Sequence, residues 1–161
     1  MSQDLRIEVL LPAMAPQMHS IESQVYEDPW TLALLEQSFR APLTHIVGYV
    51  DSEGQCWGYA IYQIVFTEAH LLNIAIHPDI KGQGKGKVLL EWVLRDAAAR
   101  HSQSMFLEVR PSNRAAIKVY EQAGFRTLMM RDRYYSNGEA AAIMMIDLAP
   151  FHSTGQKRDE P

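Results

Sequence analysis

Three glycines, Gly82, Gly84 and Gly86, alternate with Gln83, Lys85 and Lys87 where an apolar, strand-like run gives way to a helix-like one. Glycine admits backbone conformations closed to other residues and lets a ligand come close to the main chain. The first turn of the following helix offers unpaired N–H groups and the positive end of a dipole, which together favour a phosphate. Residues 80–87 therefore read as a pyrophosphate cradle, with a plain glycine-rich surface turn as the alternative. Spacing excludes two common cradles. A dinucleotide fingerprint needs a third glycine where Lys87 or Leu89 stands. A P-loop ending at Gly86-Lys87 would need glycine at Lys81 and a hydroxyl at Val88.

A second set of reactive groups follows. In the strand-like run 106–110, Leu107 and Val109 point to one face and Glu108 to the other. A carboxylate is costly to bury unpaired, so Glu108 is expected to face a cleft or solvent, as a general base or as a partner of Arg110. Tyr120 lies twelve residues on, in a stripe with Ala116, Val119 and Ala123. It is either a proton donor or a core aromatic with its hydroxyl paired. Asn113 can cap the helix that carries Tyr120 or bond a ligand amide.

The elements that would hold these groups can be read from periodicity. Strands are expected over 5–10, 45–50, 55–66, 70–76, 105–109, 125–130 and 141–148. Helices are expected over about 15–26, with Met14, Met18, Ile21 and Val25 as the apolar stripe, and from Thr31 through Phe39. Two more run from the glycine loop to about Arg100 and from Asn113 to the stop at Gly124. The order β-α-α-β-β-β-α-β-α-β-β argues for an α/β fold, a mixed sheet with helices on its faces. Residues 150–161 are polar and unpatterned and read as a mobile tail.

Composition narrows the function. The 161 residues suffice for one domain with a full core, and 47% hydrophobic with 21% charged content is ordinary for a globular chain. A net charge of −4 gives no electrostatic reason to propose nucleic acid. Cys56 is the only cysteine, so no internal disulfide forms, and it reads as a small buried residue. The six histidines include no i, i+4 pair, which argues against a metal site. Neither a signal peptide nor a run of about 18 apolar residues is visible, so a cytoplasmic protein without a membrane span is expected.

The cradle Lys81-Gly82-Gln83-Gly84-Lys85-Gly86 resembles the acetyl-CoA signature of the GCN5-related N-acetyltransferases (GNAT), Q/R-x-x-G-x-G/A, with lysine at the first position. The string 107–125 closely resembles the RimI-type ribosomal-protein-alanine N-acetyltransferases, whose pattern is LEVRxSNxxAxxLYxxxGF; Val119 stands in place of its leucine. In that family the glutamate accepts the proton and the tyrosine donates one, roles that fall on Glu108 and Tyr120. The family's asparagine contact to CoA falls on Asn113. Residues 72–78 are similar to its fourth strand, so Ile74, Ala75 and Ile76 would offer backbone groups to acetyl-CoA, with the Ile76 N–H available to the oxyanion. In such enzymes this strand splays from the glutamate's strand to make a V-shaped slot. The loop positions Gly82, Gln83, Gly84, Lys85, Gly86 and Lys87 would hold the pyrophosphate.

Asp28-Pro29-Trp30 resembles the family's P-W loop, and Arg131-Asp132-Arg133-Tyr134-Tyr135 its R-x-x-Y-Y segment. Pro29, Trp30, Tyr134 and Tyr135 would flank the peptide; a turn anchored by a buried Trp and surface aromatics is the other reading of them. The resemblance spans about residues 5–148 and implies a mostly antiparallel mixed sheet, an acetyltransferase domain over 1–149 and a tail over 150–161. It also implies acetyl-CoA as co-substrate, no metal, and the N-terminal alanine of small-subunit ribosomal protein S-18 as acceptor, with a monomer favoured. Other N-termini, lysines or small amines, or a non-catalytic CoA-binding module, remain the alternatives.

Overall fold

The computed structural model describes residues 4–152. Seven strands and four α-helices follow in the order β1 (Arg6–Val9), α1 (Ala15–Val25), α2 (Leu32–Arg40), β2 (Thr44–Val50), β3 (Cys56–Val65), β4 (Glu68–Ile76), α3 (Lys85–Ala99), β5 (Ser104–Val109), α4 (Arg114–Ala123), β6 (Arg126–Arg131) and β7 (Ala141–Asp147). Short 3-10 turns at Pro12–Met14 and Pro78–Ile80 precede α1 and the glycine loop. The strands lie in one sheet, in the order β1-β2-β3-β4-β5-β7-β6. β1–β2, β2–β3, β5–β7 and β6–β7 pair antiparallel, and β4–β5 pair parallel. This is the mixed sheet expected from the element order, mostly antiparallel as the family resemblance implies. The contacts group into two compact units: residues up to Gln63 with Asn73–Leu89, and Ile64–Leu72 with Leu90 onward.

In the first unit α1 starts just after the proline-led turn and stops at Val25, where Tyr26 turns extended. Pro29 bars any continuation. Thr31 then caps α2 by accepting from the Leu34 N–H at 3.1 Å. Leu10, Met18, Ile21, Leu35, Ile46, Val50, Cys56, Tyr59, Ile61 and Ala75 form the core. Each large aliphatic side chain buried there contributes roughly 1.5–3 kcal/mol. The stripe of α1 departs from the expected one at its end. Val25 is 40% exposed, and Glu22 takes the buried position at 1%. Cys56 is buried as expected, its thiol pushed up to about 11 by burial, which leaves it unreactive.

In the second unit β5 alternates: Met105, Leu107 and Val109 are buried and Glu108 is exposed. Asn113 caps α4 through a 3.2 Å bond from the Ala116 N–H, and Gly124 ends it in the left-handed region (φ 113°). The β4–β5 ladder pairs Glu68 with Ser104 through Leu71 with Leu107. Glu108 and Val109 pair on the other side, with Ile143 and Ala142 of β7.

The unpatterned tail expected from residue 150 does not begin there. Residues 149–152 form a helical turn in which the Phe151 and His152 amides donate to the Leu148 carbonyl. Asp147 Oδ1 opens it by accepting from the Ala149 N–H at 2.9 Å, and proline is tolerated in a first turn. Residues 153–161 of that expected tail lie outside the described residues.

Candidate active site

The glycine loop gets its shape from both ends. At its start His77 Nδ1 accepts from the Asp79 N–H at 3.0 Å, and Ile80 is buried. Gly82 and Gly84 have φ of +79° and +76°, where a β-carbon is strained. The first i→i−4 bond of α3 runs from the Val88 N–H to the Gly84 carbonyl, 3.1 Å. Gly84 thus stands at the N-cap with no side chain to satisfy the Lys85, Gly86 and Lys87 amides. A β-carbon on Gly84 would meet nothing within 4 Å, so the space beside the amides is open. On Gly86 it would come only to 3.7 Å from Ile76 Cγ1, ordinary contact. Open amides, a dipole and Lys81, Lys85 and Lys87 suit a diphosphate. Acetyl-CoA carries one, so the residues present fit it.

Two side chains steady this end. The Tyr49 hydroxyl donates to the Lys85 carbonyl at 2.8 Å, and Lys85 Nζ lies 5.7 Å from the centre of the Tyr49 ring. Burial pushes the Tyr49 phenol up to about 12, so it remains a donor. On β4, Ala75 is buried and Ile74 and Ile76 are half-buried. The Ile74 carbonyl already accepts from the Tyr26 hydroxyl.

Glu22 draws in the Pro29–Trp30 loop of the same unit. The Trp30 N–H donates to Glu22 Oε2 at 3.1 Å, and Asn73 Nδ2 donates to Oε1 at 2.7 Å. Oε1 also accepts from the Tyr59 hydroxyl, whose pKa is raised by burial first and by this bond second. The Trp30 side chain is partly buried and packs on the core, so the loop is an anchored turn.

The second unit gathers the acid and the phenols. The Tyr134 hydroxyl lies beside the Glu108 carboxylate, which is the chief reason its pKa is raised. Tyr135 has its pKa raised mainly by burial, against the lowering effect of Arg110. The Arg110 guanidinium lies 4.0 Å from the Tyr135 ring centre and 3.6 Å from Glu139 Oε1. Glu139 Oε2 in turn accepts from the Ser112 N–H at 3.0 Å. Tyr120 is buried, 5.8 Å edge-on from Phe125, and its phenol is pushed up to about 12 by burial, with a smaller contribution from Tyr135.

The expected site residues thus divide by unit. Pro29, Trp30, Ile74, Ala75, Ile76 and the loop 82–87 belong to the first, and Glu108, Asn113, Tyr120, Tyr134 and Tyr135 to the second. Tyr134 and Tyr135 come to Glu108, while Asn113 has its carbonyl oxygen engaged as a helix cap and its amide nitrogen still to offer. The sequence reading missed Glu22, Tyr26, Tyr49 and the Arg110–Glu139 pair. Glu22 had a signal: a carboxylate four residues after Met18 and beside Ile21, on the apolar face of α1. Tyr49 and Glu139 had none, because their partners are distant in sequence.

Among the described residues no His, Cys, Asp and Glu group could hold a metal ion, and no helix is long and apolar enough to cross a membrane. Residues 12–125 match the Acetyltransferase (GNAT) family. The chain is 35% identical over 134 residues to the [ribosomal protein bS18]-alanine N-acetyltransferase of Escherichia coli, covering 81% of this chain and 88% of that one. The Haemophilus influenzae enzyme of the same name is 34% identical, over 80% of this chain and 88% of its own. The crystal structure of the Escherichia coli ribosomal-protein-alanine N-acetyltransferase superposes with a TM-score of 0.82 at 33% identity, over 89% of this chain and 94% of that one. A glycine loop that suits a diphosphate, the mixed sheet and these likenesses converge: the chain belongs to the GNAT acetyltransferase family, in its RimI type, and is an acetyl-CoA-dependent N-acetyltransferase.

Proposed function

We propose that this enzyme acetylates the N-terminal alanine of small-subunit ribosomal protein bS18, with Glu108 as proton acceptor and Tyr120 as donor to the leaving sulfur. The observation that carries the reading is the grouping of Glu108 with Tyr134 and Tyr135, on a strand whose neighbouring side chains are buried, in a chain similar to enzymes of that name. Acetyl-CoA supplies the acetyl thioester. The loop amides at Gly84 to Lys87 bind its diphosphate, the Ile74, Ala75 and Ile76 backbone receives its arm, and Asn113 gives its side-chain amide to the same arm.

The chemistry follows from the groups. An α-amine has a pKa near 8, so about a tenth of it is neutral at pH 7 and a carboxylate suffices as base. Glu108 takes the ammonium proton, directly or through water. The free amine attacks the carbonyl, and the Ile76 N–H faces the oxyanion. Glu108 passes this first proton to solvent; the new C–N bond forms, the C–S bond breaks, and the amine's second proton then leaves by the same carboxylate. A phenol held near 12 stays protonated. A thiolate whose conjugate acid lies near 8.5 is too weak a base to take that proton outright. Tyr120 therefore stabilises the departing sulfur by a hydrogen bond, and the thiol is completed from solvent. Pro29, Trp30, Tyr134 and Tyr135 line the acceptor peptide. A catalytic domain that runs past 149 through the turn ending at His152, a monomer and a cytoplasmic location, where ribosomal proteins are made, complete the proposal.

Mass spectrometry of the ribosomal protein's N-terminus, after incubation with purified enzyme and acetyl-CoA, tests it. One added acetyl group on the alanine amine is expected. Turnover of free polyamines or lysine side chains with none on alanine peptides would overturn the assignment in favour of another acceptor.

A further inference from the structure

Glu22 is 1% exposed, yet its carboxylate carries three hydrogen bonds from three segments. The Trp30 N–H reaches Oε2 from the α1–α2 loop, Asn73 reaches Oε1 from β4, and Tyr59 reaches Oε1 from β3. Four residues on, Tyr26 gives its hydroxyl to the Ile74 carbonyl, the next residue of β4. The stretch 22–26 thus holds both the loop backbone and the strand. An apolar side chain would fill the space on the Met18 and Ile21 face, so a carboxylate is not needed for packing alone. What only a carboxylate does here is accept from all three donors at once.

We infer that Glu22 is a positioning residue for acetyl transfer. It ties the Pro29–Trp30 loop to Asn73 of β4, so that the segment facing the acceptor peptide and the strand facing acetyl-CoA keep one geometry. The roles of those two segments rest on the function proposed above. The physical tie does not.

Glu22→Met keeps the length and removes both acceptors. The Trp30 N–H and the Asn73 amide then lose their shared partner, and loop and strand are released from each other. Either the KM for the acceptor or the calorimetric Kd for acetyl-CoA should rise about tenfold, while kcat stays within about twofold. Glu22→Gln is the rescue: its oxygen keeps the Trp30 N–H, the Asn73 amide turns over to accept from the new NH2, and the affected constant should lie within about twofold of wild type. Tyr59→Phe removes the donor that leads to neither segment; it should lower Tm and move neither constant.

If Glu22→Met loses Tm but leaves both constants at wild-type values, or if Glu22→Gln folds with a constant still shifted, the inference fails. Should Glu22→Met not fold, Glu22→Asp, whose carboxylate is too short to reach both segments, is read instead: a shifted constant supports the tie and wild-type constants overturn it. Acetyl-CoA binding is read without turnover, so failure of the wild type on alanine peptides would sink the substrate reading alone. The best acceptor in an amine panel would then replace the peptide.

Discussion

The roles proposed for Glu108 and Tyr120 differ, and substitution should separate them. Glu108→Gln removes the proposed proton acceptor, and kcat/KM should fall roughly 10²-fold or more with acetyl-CoA binding retained. Tyr120→Phe should cost a similar factor in kcat, but its pH dependence is distinctive. Burial disfavours the phenolate and holds the pKa near 12, so the hydroxyl stays a donor through pH 10. The ratio of wild-type to Tyr120→Phe rates should therefore be flat from pH 7 to 10, where an ordinary phenol near 10 would make it decline. The same raised pKa makes Tyr120 favour the fold fully below pH 10, with that contribution lost as pH rises towards 12. A second contrast lies in the loop. Gly84→Ala forces a β-carbon onto φ +76° and should destabilise the free protein by about 1–2 kcal/mol. Gly86→Ala has room and gains helix propensity, so the free protein should melt at the same or a higher temperature. If a diphosphate sits on the amide of that residue, acetyl-CoA affinity should nevertheless fall, and calorimetry beside a thermal melt reads both signs.

At the scale of elements, every α-helix and strand expected from periodicity is present within a residue or two, because local apolar spacing and caps set them. Asn113 and Gly124 illustrate this: a side-chain acceptor starts α4 and a left-handed glycine stops it. What spacing could not give is which distant residues meet. The face of α1 was read through Val25, and the buried position fell to Glu22 because donors from β3, β4 and the next loop converge there. Likewise the R-x-x-Y-Y segment was legible as a motif, but not the guanidinium that stacks on Tyr135 and bridges to Glu139. This pair fastens the connection between β6 and β7 to the end of β5. Glu139→Gln leaves the Ser112 N–H an acceptor but removes the charge opposite Arg110. A severalfold rise in peptide KM, with acetyl-CoA affinity and Tm nearly constant, is expected by steady-state kinetics. Its carboxyl is held below the usual range, first by the Ser112 hydrogen bond and then by Arg110. The fastening should accordingly persist above the ordinary carboxylate pKa and be lost as pH falls through the lowered one.

For the whole chain, the boundary of the folded part is the quantity that composition misjudged. A polar, unpatterned sequence from Pro150 suggested that nothing beyond Ala149 contributes to the fold. Instead, the turn at 149–152 returns His152 to the Ser102 carbonyl, at the end of the segment that joins α3 to β5. The Leu148 amide donates to Gln103 at 2.9 Å in the same place, so the last strand and this turn close on one connection. A hydrogen bond of this kind is worth about 1 kcal/mol net, and the turn also covers half-buried Phe151. Two truncations should therefore differ although only three residues separate them. A chain ending at His152 should melt several degrees above one ending at Ala149, since about 1–2 kcal/mol shifts the midpoint by that amount at this size. Equal melting temperatures would return the boundary to Ala149.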